Sequence, residues 1–319
     1  MGTGILLCTT AHADRYLRLL REALPGENIA VWPQTPGDAA DVAHIAVYGA
    51  PPEGYGAPSE GFFARFPNLR TIFALSASVD RLLARKDIAE NVAIVRLTDA
   101  GMARQMTEYC LCGLLRWQRR LDEYAEQQRA RVWRALEAAP AGEVRLGVLG
   151  LGELGGRVAA AVAGLGYRVS GWSRRPRRVE GVRALHGAAG LDELLTDSDA
   201  LFCLLPSTPE TRHLLDARRL ALLPDGAAII NAGRGTLIDE AALLARLDAG
   251  RLRFAQLDVC AEEPLPENHP FWQHPRVILT PHAAAITVPE EAVAQIAANL
   301  RSLSAGRPLA GVVERGRGY

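Results

Sequence analysis

Lysine is almost missing from this chain. Lys86 is the only one among 36 basic residues, so Schiff-base chemistry would have to run through that single amine. Net charge is missing too, because 36 acidic residues balance the basic ones. A neutral chain lacks the field that holds a polyphosphate, which argues against nucleic acid as a partner. Cysteines are few: Cys8, Cys110, Cys112, Cys203 and Cys260. Their odd number and apolar surroundings offer no disulfide framework, and the one-residue gap between Cys110 and Cys112 is neither a zinc knuckle nor a redox pair. Reduced, buried thiols and a cytoplasmic location are the expectation, and no metal is expected. No apolar run approaches the ~18 residues of a membrane span. The opening MGTGILLCTTAHADRYL has no basic leader or signal-type apolar stretch, so no membrane is expected as a partner. Internal repeats, low-complexity tracts and long linkers are also absent.

The chain has 319 residues, 49% of them hydrophobic and 23% charged. That is ordinary globular composition at about twice the usual domain length. Short apolar runs alternate with longer helical patterns, the signature of parallel α/β units. Strands are expected near 4–9, 28–32, 43–48, 70–75 and 92–96, with helical patterns at 13–23 and 60–66. A charged helical stretch follows from about 103 to 136, ending at Pro140-Ala141-Gly142. A second series begins with Val144–Leu149 and continues near 167–172, 200–205, 227–231, 254–259 and 277–280. A final helix covers roughly 289–304. The pattern predicts two α/β lobes joined by a long helix.

The most informative local signal is Gly150-Leu151-Gly152-Glu153-Leu154-Gly155. It matches G-x-G-x-x-G between an apolar strand and an Ala-rich helical run. Gly150 permits a tight turn, Gly152 lets backbone approach a pyrophosphate, and Gly155 lets helix pack on strand. The helix N-terminus then offers free N–H groups and a positive dipole end. An NAD site would place an acid at the end of the next strand, on the ribose 2′-hydroxyl. That strand instead ends Trp172-Ser173-Arg174-Arg175-Pro176-Arg177-Arg178. A serine and an arginine fork can hold a 2′-phosphate, so NADPH is the expected cofactor, with NADH a weaker one.

Three further residues stand just after predicted strands, where ligands collect in open α/β sheets. Arg234, flanked by glycines in Asn231-Ala232-Gly233-Arg234-Gly235, has room for a bidentate grip on a carboxylate. Glu263 follows the strand that ends at Val259, and His282 follows Thr280-Pro281. Each alone would be unremarked loop. Together they fit an anion binder, an orienting carboxylate and a general acid. The other six histidines have no comparable setting and are read as surface or packing residues.

With these stretches the chain resembles the D-isomer-specific 2-hydroxyacid dehydrogenases, and within them the bacterial glyoxylate/hydroxypyruvate reductase A group. The resemblance runs through NLRTIFALSASVDRLL (68–83), RLTDAGMARQMTEY (96–109), LPSTPETRHLL (205–215) and LPDGAAIINAGRG (223–235). It continues through LDVCAEEPLPENHPFWQHPRVILTPHAAAIT (257–287) to the terminal RGRGY (315–319).

The resemblance implies two Rossmann- or flavodoxin-like lobes with parallel sheets and an inter-lobe cleft. The substrate-binding domain would comprise 1–103 with 288–319, and the dinucleotide-binding domain 104–287, carrying a helical arm near 105–140 for homodimerisation. Arg234 would hold the 2-oxo acid, His282 would supply the proton and Glu263 would pair with it. Asp258 would meet the nicotinamide end, with Leu205, Pro206 and Thr211 lining the cofactor and Trp172 and Ala232 counted among its contacts. Ala77, Ser78 and Val79 would face the substrate carboxylate. The implied reaction is NADPH-dependent reduction of glyoxylate and hydroxypyruvate to glycolate and D-glycerate. Reduction of another 2-oxo acid, such as pyruvate, phenylpyruvate or phosphohydroxypyruvate, is the alternative, and a dinucleotide-sensing corepressor a more distant one. Two departures stand out: Ser76 and Ser78 occupy a loop often richer in glycine, where their hydroxyls would narrow or polarise the pocket. Gly233 replaces a frequent alanine, a change expected to be silent.

Overall fold

The computed structural model describes residues 4–9, 11–34, 37–48 and 61–317. Two compact units emerge, one formed by Met1–Gly101 with Ile286–Tyr319 and the other by Met102–Ala285. Both are α/β units built on parallel sheets.

In the first unit the strands are β1 (Gly4–Cys8), β2 (Asn28–Val31), β3 (Val42–Val47), β4 (Thr71–Ala74) and β5 (Ala93–Val95). Their spatial order is β2-β1-β3-β4-β5, all parallel. The inner strands GILLC and VAHIAV are buried along their whole length, as strands covered on both faces must be. Helix α1 (Ala13–Ala23) makes the first crossover, and the short α2 (Asp80–Leu83) follows β4. The helix Pro289–Ser304 packs against α1, starting with proline in its first turn and two glutamates beside it. Thr287 Oγ1 donates to Leu75 O at 2.8 Å, tying the returning chain to the end of β4.

The helical pattern expected at 60–66 is not formed. Residue 60 lies outside the described residues, and Phe63–Arg65 makes one 3₁₀ turn. Phe66 precedes Pro67, which disfavours helical backbone there. Phe62 instead anchors an aromatic cluster, edge-on to Trp32, Phe63 and Phe66 with ring centroids 4.9–5.3 Å apart. The C-terminal stretch 315–319 is described only as far as residue 317.

The second unit has seven parallel strands in the order β12-β11-β10-β9-β6-β7-β8. They are β6 (Arg145–Leu149), β7 (Arg168–Ser173), β8 (Val182–His186), β9 (Ala200–Cys203), β10 (Ala227–Asn231), β11 (Leu252–Leu257) and β12 (Val277–Leu279). Helices α3 (Met102–Gln118), α4 (Leu121–Arg129), α5 (Glu153–Ala163), α6 (Gly187–Thr196), α7 (Ala217–Leu220) and α8 (Glu240–Asp248) flank or follow them. Strand order reverses between β6 and β9, the switch point where open sheets bind ligands. Gly113 lets α3 lie close on the sheet, since a Cβ there would stand 2.8 Å from Ile230 Cγ1.

Two sequence expectations need correction here. The long helix expected at 103–136 ends at Gln118, turns at Arg120 (φ 57°) and resumes only as α4; residues 132–139 are not helical. Nothing in α4 is buried, and a short helix without packing is marginal. The segment runs back instead, held by Leu136 N–H donating to Tyr124 Oη at 2.8 Å and by Gln118 Nε2 donating to Ala139 O at 2.8 Å. Trp133 on this segment is fully exposed. The second correction is β8, an edge strand whose half-exposed sequence VRALH lacks an apolar run.

Phe62 is 1% exposed within its aromatic cluster. Phe62→Ala should lower stability by about 3–5 kcal/mol in guanidinium unfolding followed by tryptophan fluorescence. A loss below about 1 kcal/mol would contradict this packing.

Candidate active site

The loops after β6, β7, β9, β10, β11 and β12 leave the same edge of the second sheet, because its strands are parallel. The glycine turn comes first. Gly150 has φ +108°, and a Cβ on it would stand 2.8 Å from Leu204 O. A Cβ on Gly155 would fall inside the shell of the Gly150 carbonyl oxygen. Both glycines are therefore demanded by the turn. Gly152 is different: nothing lies within 4 Å of where its Cβ would be. That open cradle, at the N-terminus of the 11-residue α5, fits a pyrophosphate. Glu153 accepts from Arg157 Nη2 at 2.8 Å, which offsets its charge beside the cradle, and Leu154 next to it is half-buried.

At the end of β7, Trp172 Nε1 donates to Gly187 O at 2.8 Å, and Ser173 Oγ donates to Arg175 O at 2.7 Å. Arg174, Arg175, Arg177 and Arg178 are all exposed, and no carboxylate occupies the strand end. After β9, the Thr211 hydroxyl donates to Pro206 O at 2.7 Å and accepts from Thr208 N at 2.8 Å, so Thr211 shapes this loop while Leu205 is buried. The residues present fit a dinucleotide with a phosphorylated ribose.

Beyond β10, Asn231 folds the turn that presents Arg234. Its Oδ1 accepts from Gly233 N at 3.1 Å and its Nδ2 donates to Arg234 O at 3.0 Å, with Ala232 buried between them. A Cβ on Gly235 would overlap the Cys260 backbone, so this turn lies directly on the segment leaving β11. Gly233 is not the silent exchange expected from sequence. A Cβ there would stand 2.8 Å from Leu205 O and 2.9 Å from Cys203 O, so alanine would force the loops apart.

The Glu263 carboxylate accepts from His282 Nδ1 at 2.9 Å and from Cys260 N at 3.1 Å. Its partial burial works to raise its pKa, but the hydrogen bond and charge of His282, the Cys260 N–H and the charge of Arg234 outweigh this and hold it below the usual range. Cys260 next to it is no nucleophile, because burial and then the neighbouring carboxylates push its thiol up to about 12. His282 sits half-exposed with left-handed backbone, φ 54°, a conformation costing about 1–3 kcal/mol unless its surroundings impose it. Asp258 imposes it. This carboxylate is 3% exposed, and it accepts from Thr280 Oγ1 at 2.6 Å, Ala283 N at 2.8 Å and Ala284 N at 2.9 Å. Its carbonyl also accepts from His282 N at 2.9 Å.

Arg234, Glu263, His282 and Asp258 are thus gathered at one sheet edge with the glycine turn. Ala77, Ser78 and Val79 belong to the first unit, between β4 and α2. The hydroxyls of Ser76 and Ser78 are engaged within that loop, by Ser78 O at 2.7 Å and by Asp80 Oδ2 at 3.3 Å. Sequence reading gave no role to Asn231 or Thr280, although both stand inside the motifs it singled out.

Comparison with known proteins gives the family. The family model for the D-isomer specific 2-hydroxyacid dehydrogenase NAD-binding domain matches residues 111–284. The chain belongs to this family. It is an NAD(P)-dependent oxidoreductase. A relative from Serratia proteamaculans named glyoxylate/hydroxypyruvate reductase A is 40% identical over 313 residues, covering 97% of each chain. A family member from Xanthobacter autotrophicus Py2, crystallised with NADPH and MES, superposes with a TM-score of 0.93 at 38% identity over the whole of both chains. The NADPH-dependent glyoxylate/hydroxypyruvate reductase of Sinorhizobium meliloti, crystallised with NADP and sulfate, has a TM-score of 0.89 at 31% identity, covering 99% of this chain and 100% of that one. Among the described residues no helix is long and apolar enough to cross a membrane.

The Glu263 shift gives a pH test. A depressed folded-state pKa contributes stability above the unfolded value of about 4.3, and that stability is lost as pH falls through the folded value. Glu263→Gln should therefore lower Tm at pH 7, with the gap to wild type closing below about pH 4. Scanning calorimetry at several pH values checks this; a gap that stays constant into acid would contradict an ionised, paired Glu263.

Proposed function

We propose that the protein reduces glyoxylate and hydroxypyruvate to glycolate and D-glycerate with NADPH, acting as a cytoplasmic homodimer. The observation carrying this reading is the 2.9 Å His282–Glu263 pair beside the Arg234 turn, on the sheet edge that also holds the open Gly152 cradle. The names of the Serratia and Sinorhizobium relatives support the substrates. The missing carboxylate after β7, with Ser173, Arg174 and Arg175 in its place, supports NADPH over NADH, as does the cofactor in the Xanthobacter structure. The exposed Trp133, with Val132 beside it, supports pairing through the arm.

The chemistry follows from the residues. Gly150, Gly152 and Gly155 with the N-terminus of α5 hold the pyrophosphate, and Ser173, Arg174 and Arg175 receive the 2′-phosphate. When bound, the nicotinamide supplies the hydride that reduces the carbonyl carbon. Arg234 holds the substrate carboxylate and draws negative charge toward the carbonyl oxygen. Glu263 accepts the Nδ1 hydrogen of His282, which fixes the ring and leaves Nε2 to give its proton to the forming alkoxide.

His282→Ala should lower turnover of glyoxylate about 10²–10⁴-fold with little change in NADPH affinity. Steady-state rates and a fluorescence titration of NADPH measure the two quantities. A variant keeping a tenth of wild-type turnover would remove His282 from the proton-transfer step.

A further inference from the structure

The hydrogen-bond chain behind His282 does not end at Asp258. The Tyr109 hydroxyl, from α3, lies 2.7 Å from Thr280 Oγ1, which itself lies 2.6 Å from Asp258 Oδ1. The direction of this chain can be worked out. An ionised carboxylate only accepts, so the Thr280 hydrogen is committed to Asp258. The tyrosine must then donate to Thr280. Its phenol remains available for this, because burial, and to a lesser extent the Asp258 charge, raise its pKa above the ordinary value. Tyr109 is itself held: Gln256, buried in β11, donates through Nε2 to the Tyr109 carbonyl at 3.3 Å.

We propose that Tyr109 is a positioning residue for His282, acting through Thr280 and Asp258. The inference rests on the reading of His282 as the proton donor and adds to it a residue on a different element of the same unit. Asp258 holds the turn 280–284 by one carbonyl and two carboxylate oxygens, and it does so in a buried place where each donor counts. Among the described residues, Thr280 is the side chain that donates to the Asp258 carboxylate, and Tyr109 sets the orientation of that hydroxyl. Loss of the phenol removes the donor that fixes the Thr280 oxygen and leaves that hydroxyl held from the Asp258 side alone. The strained His282 backbone then loses part of what fixes it, and the imidazole spends less time in the geometry for proton transfer.

The test uses Tyr109→Phe, Thr280→Val and Thr280→Ser in the full chain, assayed with NADPH and glyoxylate. Tyr109→Phe should lower kcat about three- to tenfold, the worth of one net hydrogen bond, with both KM values within about twofold of wild type. Thr280→Val should lose at least as much, and Thr280→Ser should restore most of it because the hydroxyl returns. The double variant Tyr109→Phe/Thr280→Val should be no slower than Thr280→Val alone, as residues acting in one chain are not additive. Independently of turnover, the His282 ring proton resonance, assigned by its loss in His282→Ala, should shift in Tyr109→Phe. Wild-type kcat with an unshifted resonance in Tyr109→Phe overturns the inference, as does a Thr280→Ser variant no better than Thr280→Val. An active His282→Ala would instead sink the underlying functional reading, so the two failures are distinguishable.

Discussion

A buried carboxylate with three donors aimed at it organises this site. Removing an ionised Asp258 from water is costly, and the cost is offset only because Thr280 and the amides of residues 283 and 284 replace the lost hydration. The balance works in both directions. The carboxylate needs the turn in order to be buried, and the turn needs the carboxylate in order to hold His282 at positive φ. Glu263 then acts on a ring whose backbone is already set, so its single hydrogen bond can select the ring orientation and tautomer.

Close backbone approach is the second constraint, and it explains where glycine is required. Gly155 brings α5 onto the end of β6, and Gly235 brings the Arg234 turn onto the segment after β11. Without the second approach the Arg234 charge could not act on Glu263. Gly152 belongs to another class, since its missing side chain leaves room for a ligand and not for protein. The same motif therefore holds glycines that shape the turn and one that serves what binds there.

Much of this was legible in the sequence because it depends on local periodicity and on spacing. Fully buried strands such as GILLC and AAIIN announce themselves as apolar runs, and the glycine motif lies between a strand and a helix as its spacing requires. Arg234, Glu263 and His282 were singled out by their positions just after strands, and the structure gathers them at one edge of the sheet. What escaped depends on contacts distant in the chain. Edge strand β8 is half-exposed and has an undistinguished sequence, in which Val182 and Leu185 are the side chains that pack on the core. The helical pattern past Gln118 has the residues of a helix, yet none of the side chains in α4 is buried, and the helix stops at Arg129. Asn231, Thr280 and Tyr109 act through hydrogen bonds across loops, for which neither periodicity nor composition carries a signal. The hydroxyls of Ser76 and Ser78 are hydrogen-bonded within their own loop, a local arrangement that the sequence pattern does not announce.

The open cradle, the arginine-rich strand end and the paired histidine together support the proposed reduction of a small 2-oxo acid by NADPH. The most direct test is the rate of absorbance loss at 340 nm for the purified wild-type chain, with NADPH or NADH, against glyoxylate, hydroxypyruvate, pyruvate and phenylpyruvate. The account predicts the highest kcat/KM for glyoxylate or hydroxypyruvate, and at least a tenfold preference for NADPH, since one charge-assisted contact to the 2′-phosphate contributes about 1.5–3 kcal/mol. Equal rates with NADH, or no oxidation of NADPH with either substrate, would contradict it.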